Sequence, residues 1–194
     1  GNNEERIHNN IENIMQIMWP TRYITNLHDG PFHSRALAIS KLLLNNDTIN
    51  DSIGFDFDML LFKAPHINTI TPWHQDQSYW PYMSDRRSCS FWCTLDNVNT
   101  DSGCMWFKPF GLNRAIDSDT QIFNHKTANP DVHVRVIDDD TFSNEMIRDC
   151  DGTGIPCPLN MGSCTIHHGF TPHYTKGNNT DDNRRAMVAV YRPD

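Results

Sequence analysis

The chain has 194 residues, a formal charge of −8 and a sequence pI near 5.6. That length suits one domain with a real core. The acidic balance, with Arg86-Arg87 and Arg184-Arg185 as isolated basic pairs, excludes nucleic acid, which needs a clustered basic face. A mean hydropathy of −0.59 and no apolar run near the roughly 20 residues of a membrane span exclude a membrane protein.

In chain order, Ile7, Ile11, Ile14, Met15 and Met18 recur at steps of three and four, predicting a helix over 4–18 that Trp19-Pro20 stops. Asp29-Gly30-Pro31, an acidic cap followed by a first-turn proline, starts a second helix with Phe32, Ala36, Ile39 and Leu43 on its apolar stripe, ending at Asn45-Asn46-Asp47. Together these make a helical flank over 1–50. From 51 onward the pattern changes to short aromatic and β-branched runs between Pro, Gly, Asn and Asp clusters, as in a sandwich or barrel. The strands are expected at 55–63, 88–95, 104–109, 132–137, 162–168 and 185–191. The polar stretch 111–158 reads as an insertion of loops with one strand. No repeat or linker divides the chain, so 1–194 is expected to be a single domain.

The six cysteines are spaced for neither a zinc knuckle nor a disulfide framework and are expected to be free thiols. The first residues lack a secretory leader's basic flank and apolar stretch, which points to the cytoplasm.

Trp73-His74-Gln75-Asp76 places an imidazole and a carboxylate two residues apart, so extended backbone sends both from one face. A third ligand must come from elsewhere. The histidine-dense segment from Ile166 to His173 offers His167, His168 and His173. Two histidines and a carboxylate leaving half an octahedron open is the ligand set of non-haem iron(II) oxygenases.

Several separated motifs resemble the phytanoyl-CoA dioxygenase family of iron(II)- and 2-oxoglutarate-dependent oxygenases, over about 31–191. Phe55-Asp56-Phe57-Asp58-Met59-Leu60-Leu61-Phe62-Lys63-Ala64-Pro65 resembles its strand ending in Lys-x-Pro. Trp73-His74-Gln75-Asp76-Gln77-Ser78-Tyr79-Trp80-Pro81 is similar to its WHQD-x-x-YWP pattern. Phe91-Trp92-Cys93-Thr94-Leu95-Asp96-Asn97-Val98 and Asp101-Ser102-Gly103-Cys104-Met105-Trp106-Phe107 resemble the next two strands, and Gly162 to Ala186 resembles the segment carrying the distal histidine and an arginine.

The resemblance implies a mainly β double-stranded β-helix, a jelly-roll or cupin-like fold, with flanking N-terminal α-helices. It implies His74, Asp76 and His173 as iron(II) ligands and as the catalytic centre. His168 falls at the family's recurrent non-ligand histidine, and both His167 and His168 are expected to pack or to hydrogen-bond around the centre. Arg184 matches the arginine that grips the distal carboxylate of the cosubstrate 2-oxoglutarate, with Thr175 as its hydroxyl partner and Trp92 and Met59 lining the cosubstrate. Arg185, on the opposite strand face, is expected in solvent. Lys108-Pro109-Phe110-Gly111-Leu112 departs from the family's loop at that point.

The implied reaction consumes O2 and hydroxylates an unactivated C–H bond of a small-molecule metabolite, releasing succinate and CO2, in a monomer or homodimer. Asp76 occupies the position that related halogenases vacate for halide, which favours hydroxylation. Gln75, Gln77, Trp80, Trp106 and Phe107 are expected around the pocket. The alternatives are a cupin-type metalloenzyme without 2-oxoglutarate, against which Arg184 and Thr175 argue, and a non-catalytic binding protein, against which the intact triad argues.

Overall fold

The apolar run Ala186-Met187-Val188-Ala189-Val190-Tyr191 shows no alternation because it is buried on both faces, as a central strand between two packed layers must be. It belongs to a computed structural model that describes residues 14–44, 52–108, 125–129, 132–137 and 154–193. The strands are β1 (Met15–Met18), β2 (Ile53–Lys63), β3 (Thr71–His74), β4 (Cys89–Thr94), β5 (Met105–Phe107), β6 (His125–Asn129), β7 (Val132–Ile137), β8 (Ile155–Cys157), β9 (Cys164–His167), β10 (His173–Thr175) and β11 (Arg184–Pro193). Among the described residues there is one α-helix, α1 (Pro31–Leu44).

A five-stranded sheet in the order β1-β2-β11-β4-β9 faces a four-stranded sheet in the order β3-β10-β5-β8, and β6 and β7 form a separate hairpin. All their pairings are antiparallel. This is the expected jelly roll. Between the sheets, Ala186, Val188, Val190 and Trp92 pack with Phe57, Met59 and Leu61 against Trp73, Met105, Trp106 and Tyr174. On the far side of the larger sheet, Ala189, Tyr191, Cys89 and Phe91 lie beneath Ala36 and Leu44 of α1. Each such large side chain removed from water contributes about 1.5–3 kcal/mol.

Strand β2 serves both cores because a register shift intervenes: Val190 pairs with Phe57 but Tyr191 with Phe55, leaving Asp56 as the extra residue. Phe57, Met59 and Leu61 therefore point between the sheets, whereas Phe55 and Ile53 turn to the helix. Beneath α1 the fully buried Asp58 accepts from the Thr21 amide (3.3 Å) and hydroxyl (3.0 Å), and the His33 Nε2 lies 3.6 Å away. The other His33 nitrogen meets the Tyr191 hydroxyl at 2.9 Å. This network pins the short 3-10 turn Pro20–Arg22 and the helix to the sheet.

Four expectations need correction. The segment predicted as the end of a first helix, Met15–Met18, is an edge strand that pairs with residues 59–62 of β2; residues 4–13 of that prediction lie outside the described residues. Its spacing suited a helix, but β2's free backbone edge captured it, a tertiary override of local propensity. Next, α1 buries His33, Ala36, Ser40 and Leu44, while Ile39 and Leu43 are exposed, so the helix is rotated from its most apolar stripe. Asp58 and Tyr191 beneath it require polar partners, which His33 supplies.

Third, the first turn of α1 holds no acidic residue, and the Asp29 carboxylate faces the His28 ring at 3.5 Å instead of capping the helix. Last, the insertion holds more structure than one strand: β7 pairs with the unpredicted β6, and β8 belongs to the four-stranded sheet beside β5. Cys89, Cys93, Cys104, Cys157 and Cys164 are free thiols, and Cys150 lies outside the described residues. Among the described residues, no helix is long and apolar enough to cross a membrane.

Candidate metal centre

Antiparallel pairing of β3 with β10 sets His74 directly opposite His173, with ring centroids 4.1 Å apart. Past His74 the chain stays extended through Gln75 (φ −118, ψ 131) and then enters a 3-10 turn at Asp76, so the carboxylate joins the two imidazoles. The extended spacing anticipated from the sequence thus holds up to the residue where the turn begins. Two latches fix that turn to the loop leading into β10. The Gln75 amide nitrogen donates to the Phe170 carbonyl (2.5 Å), and the Gln77 backbone N–H donates to the Gly169 carbonyl (3.0 Å).

The ring nitrogens are sorted in the same way on both histidines. His74 Nδ1 lies 2.8 Å from the Pro72 carbonyl and His173 Nδ1 lies 2.9 Å from the Thr171 carbonyl, which makes each Nδ1 the protonated nitrogen. Both Nε2 atoms, the nitrogens left to bind a metal, then face Asp76 Oδ1, at 3.7 and 3.4 Å. Ligand atoms of the three residues all lie within 4.8 Å of one another, close enough to share one ion. Burial opposes ionisation of Asp76, but the surrounding His173, His167 and His74 imidazoles outweigh it and hold its carboxyl well below the usual range. Burial and the neighbouring His173 push His74 downward against the pull of Asp76. An ionised carboxylate beside a neutral imidazole is the donor chemistry a divalent cation requires.

Two residues along β10 from His173, Thr175 reaches a second polar cluster. Its hydroxyl accepts from Lys63 Nζ at 2.9 Å, and Lys63 also donates to the Lys176 carbonyl at 2.6 Å. Lys63 is the β2 partner of Arg184 on β11, so two basic side chains share one rung of the sheet. Both are almost fully buried. Burial, then the Arg184 charge, push Lys63 down to about 6; burial, partly offset by Asp96, pushes Arg184 down to about 10. Arg184 Nε and Nη1 are closed from water with no hydrogen-bond partner, and its guanidinium lies 5.7 Å from the Trp92 ring centroid. Trp92 and Met59 flank Val188 on one rung, forming an apolar wall between the sheets.

Among the residues singled out from sequence, the structure therefore brings together His74, Asp76 and His173 at one cluster and Arg184 and Thr175 at the other. Gln75 does not line a pocket: its side chain is fully buried in the latch described above. Trp106 and Trp80 pack with the core, whereas Phe107 lies against the His167 and His173 rings, at 5.1 and 6.1 Å. Arg185 is exposed as expected, but it is paired: Nε and Nη2 donate to the Asp96 carboxylate at 3.1 and 2.6 Å.

Two further contributors, Lys63 and Ser90, stand outside the residues expected at the site, whereas His167 falls around the centre as expected. Lys63 was noted only as part of a motif. Ser90 donates to Asp76 Oδ2 at 2.8 Å, and His167 brings its Nε2 within 3.5 Å of the same oxygen. The available signals were a lysine closing an apolar strand and a serine two residues before Trp92, on the same strand face.

The sequence profile described as Phytanoyl-CoA dioxygenase (PhyH) matches residues 20–186. A zebrafish (Danio rerio) protein, phytanoyl-CoA dioxygenase domain-containing protein 1, is 28% identical over 131 residues, covering 67% of this chain and 42% of that protein. The chain thus spans less than half the length of this curated relative. The crystal structure of EvdO2 from Micromonospora carbonacea var. aurantiaca complexed with 2-oxoglutarate superimposes with a TM-score of 0.74 at 29% identity, over 93% of this chain and 67% of that one. The epimerase SnoN, in complex with Fe3+, alpha ketoglutarate and nogalamycin RO, shares the fold with a TM-score of 0.66 at 21% identity, over 92% and 63% of the two chains.

Proposed function

The chain belongs to the phytanoyl-CoA dioxygenase family, and from that footing we propose that it is an iron(II)- and 2-oxoglutarate-dependent oxygenase that hydroxylates a C–H bond of a small-molecule substrate. The observation that carries the reading is the placement, on one short strand, of His173 in a two-histidine, one-carboxylate cluster and Thr175 against the buried Lys63–Arg184 pair. The 2-oxoglutarate held by EvdO2, at 29% identity, supports the cosubstrate.

The residues fit both groups. His74 and His173 Nε2 with Asp76 Oδ1 would hold the metal from one side and leave its remaining positions open. When bound, iron(II) with 2-oxoglutarate and O2 supplies C–H oxidation coupled to release of succinate and CO2. The chain's own part is to bind, orient and keep dry. Arg184 offers the planar fork that matches a carboxylate, and its two orphaned nitrogens require an acceptor of that kind. The Thr175 hydroxyl assists from β10, roughly 7 Å along the strand from His173, a separation a short dicarboxylate can bridge. Trp92 and Met59 would exclude water from the cosubstrate's flank. An intact Asp76 fills the carboxylate position, which favours hydroxylation over halide transfer.

The test is anaerobic. Iron(II) and 2-oxoglutarate added together should give a weak visible charge-transfer band, and admission of oxygen should yield succinate. A protein that binds iron(II) but shows no band would lose the cosubstrate assignment.

A further inference from the structure

We propose that His167 is a positioning residue of the metal centre: with the Ser90 hydroxyl it clamps Asp76 Oδ2, so that Oδ1 alone is turned between His74 and His173. This rests on the metal-centre reading above and concerns how the carboxylate is aimed within it.

The two oxygens of Asp76 have different surroundings. Oδ1 faces the two Nε2 atoms that would share the metal with it, at 3.7 and 3.4 Å. Oδ2 accepts from Ser90 Oγ at 2.8 Å and faces His167 Nε2 at 3.5 Å. Ser90 and His167 are directly opposed residues of the β4–β9 pair, so a single rung of the larger sheet brings both groups to the same oxygen. His167 is packed between Phe107 and His173, with centroids at 5.1 and 4.6 Å, and only 6% of its side chain is exposed. Neither of its ring nitrogens has a full hydrogen bond, and the strand directs Nε2 at the carboxylate. Packing alone would be better served there by an apolar ring, because an imidazole buried without partners forfeits its hydration.

A ligand role is disfavoured by side. His167 approaches Oδ2, away from the Oδ1 edge on which the three-residue cluster converges. A carboxylate held by its outer oxygen binds through one atom. If released, it can rotate and chelate through two, occupying a position that the reaction needs open.

The probe is cobalt(II), titrated anaerobically into the full chain, with the visible d–d spectrum and the dissociation constant as readouts. His167→Phe keeps the ring's volume and removes its nitrogens. It should weaken cobalt(II) binding about tenfold and shift the spectrum, at one metal per chain. His167→Gln, whose amide can donate to Oδ2, should restore most of both. Ser90→Ala removes the other half of the clamp and should shift the spectrum in the same direction, which provides a second reading if His167→Phe folds poorly. Parental affinity and spectrum in both His167→Phe and Ser90→Ala would overturn the proposal. So would pulsed EPR on the copper(II) form that counts three coordinated imidazoles in the parent and two in His167→Phe, since His167 would then be a ligand. If the metal-centre reading itself is wrong, the parent will bind no cobalt(II), or His74→Ala will bind it as the parent does. That outcome is distinct from parental binding in the clamp variants.

Discussion

Arg184 keeps Nε and Nη1 out of water with no acceptor for either, a condition that costs about 1–3 kcal/mol or more for a charged group. A bound carboxylate reverses that cost and adds charge-assisted bonds, so the arginine should account for a large share of cosubstrate affinity. Arg184→Ala is expected to weaken 2-oxoglutarate binding by on the order of 2–4 kcal/mol, about 30-fold or more, with metal binding unchanged. Arg184→Lys should fall between, because an ammonium retains charge but loses the fork. Anaerobic titration of the charge-transfer band measures both, and parental affinity in Arg184→Ala would refute the role. At this scale the triad, Arg184 and Thr175 could be singled out because the order of the motifs around them resembles the family's, and the structure gathers them into two clusters. Lys63 and Ser90 could not, because their meaning lies in what stands opposite them, and the side of Asp76 that His167 approaches was hidden for the same reason. Lys63 faces Arg184 and Ser90 faces His167 only once β2, β11, β4 and β9 are in register.

Between β9 and β10 the chain turns through Gly169, whose backbone touches the metal-centre turn on one side and β4's approach on the other. Its carbonyl accepts from Gln77 N–H at 3.0 Å, and its N–H donates to the Ser88 hydroxyl at 2.9 Å. A Cβ added there would stand 2.5 Å from Trp80 Cζ3 and 2.9 Å from Ser88 Oγ. Gly169→Ala must therefore displace the indole or the loop, with an overpacking penalty of about 1–3 kcal/mol. Because the loop latches Asp76 relative to His173, the same change should weaken metal binding. Chemical denaturation at constant m-value and a cobalt(II) titration test the two effects separately; unchanged metal affinity would show that the latch does not set the site. Element types were legible wherever periodicity and neighbours agreed, as in α1 and β11. They failed at Met15–Met18, where an open sheet edge outweighed a helical period, and at Ile155–Cys157, too short a strand to show any period.

For the whole molecule, strand-like runs announced a mainly β sandwich, but sheet order was not readable, since β2 lies beside β11 across most of the chain. That pairing also gives the molecule a pH signature, because it puts Lys63 and Arg184 together in a dry layer. Lys63 has a folded pKa pushed down to about 6, below the roughly 10.4 of an unfolded lysine. Between those values the unfolded chain holds more protons than the folded one, so this residue makes stability rise with pH, by at most about 1.4 kcal/mol per unit. Below about pH 6 both states are protonated and the slope vanishes. Other groups bend the total curve: burial raises Cys164 to about 12 and Cys104 to about 11, which removes stability as pH climbs past the ordinary thiol range. The contribution of Lys63 is therefore read as a difference. The unfolding free energy of the parent minus that of Lys63→Met, measured by urea denaturation without metal or cosubstrate, should be flat below about pH 6 and rise steadily to about pH 9. Methionine also forfeits the bonds to Thr175 and Lys176, which offsets the difference without tilting it. A level difference across the whole range would mean that Lys63 keeps its proton on folding, and that its charge is already balanced before any carboxylate arrives.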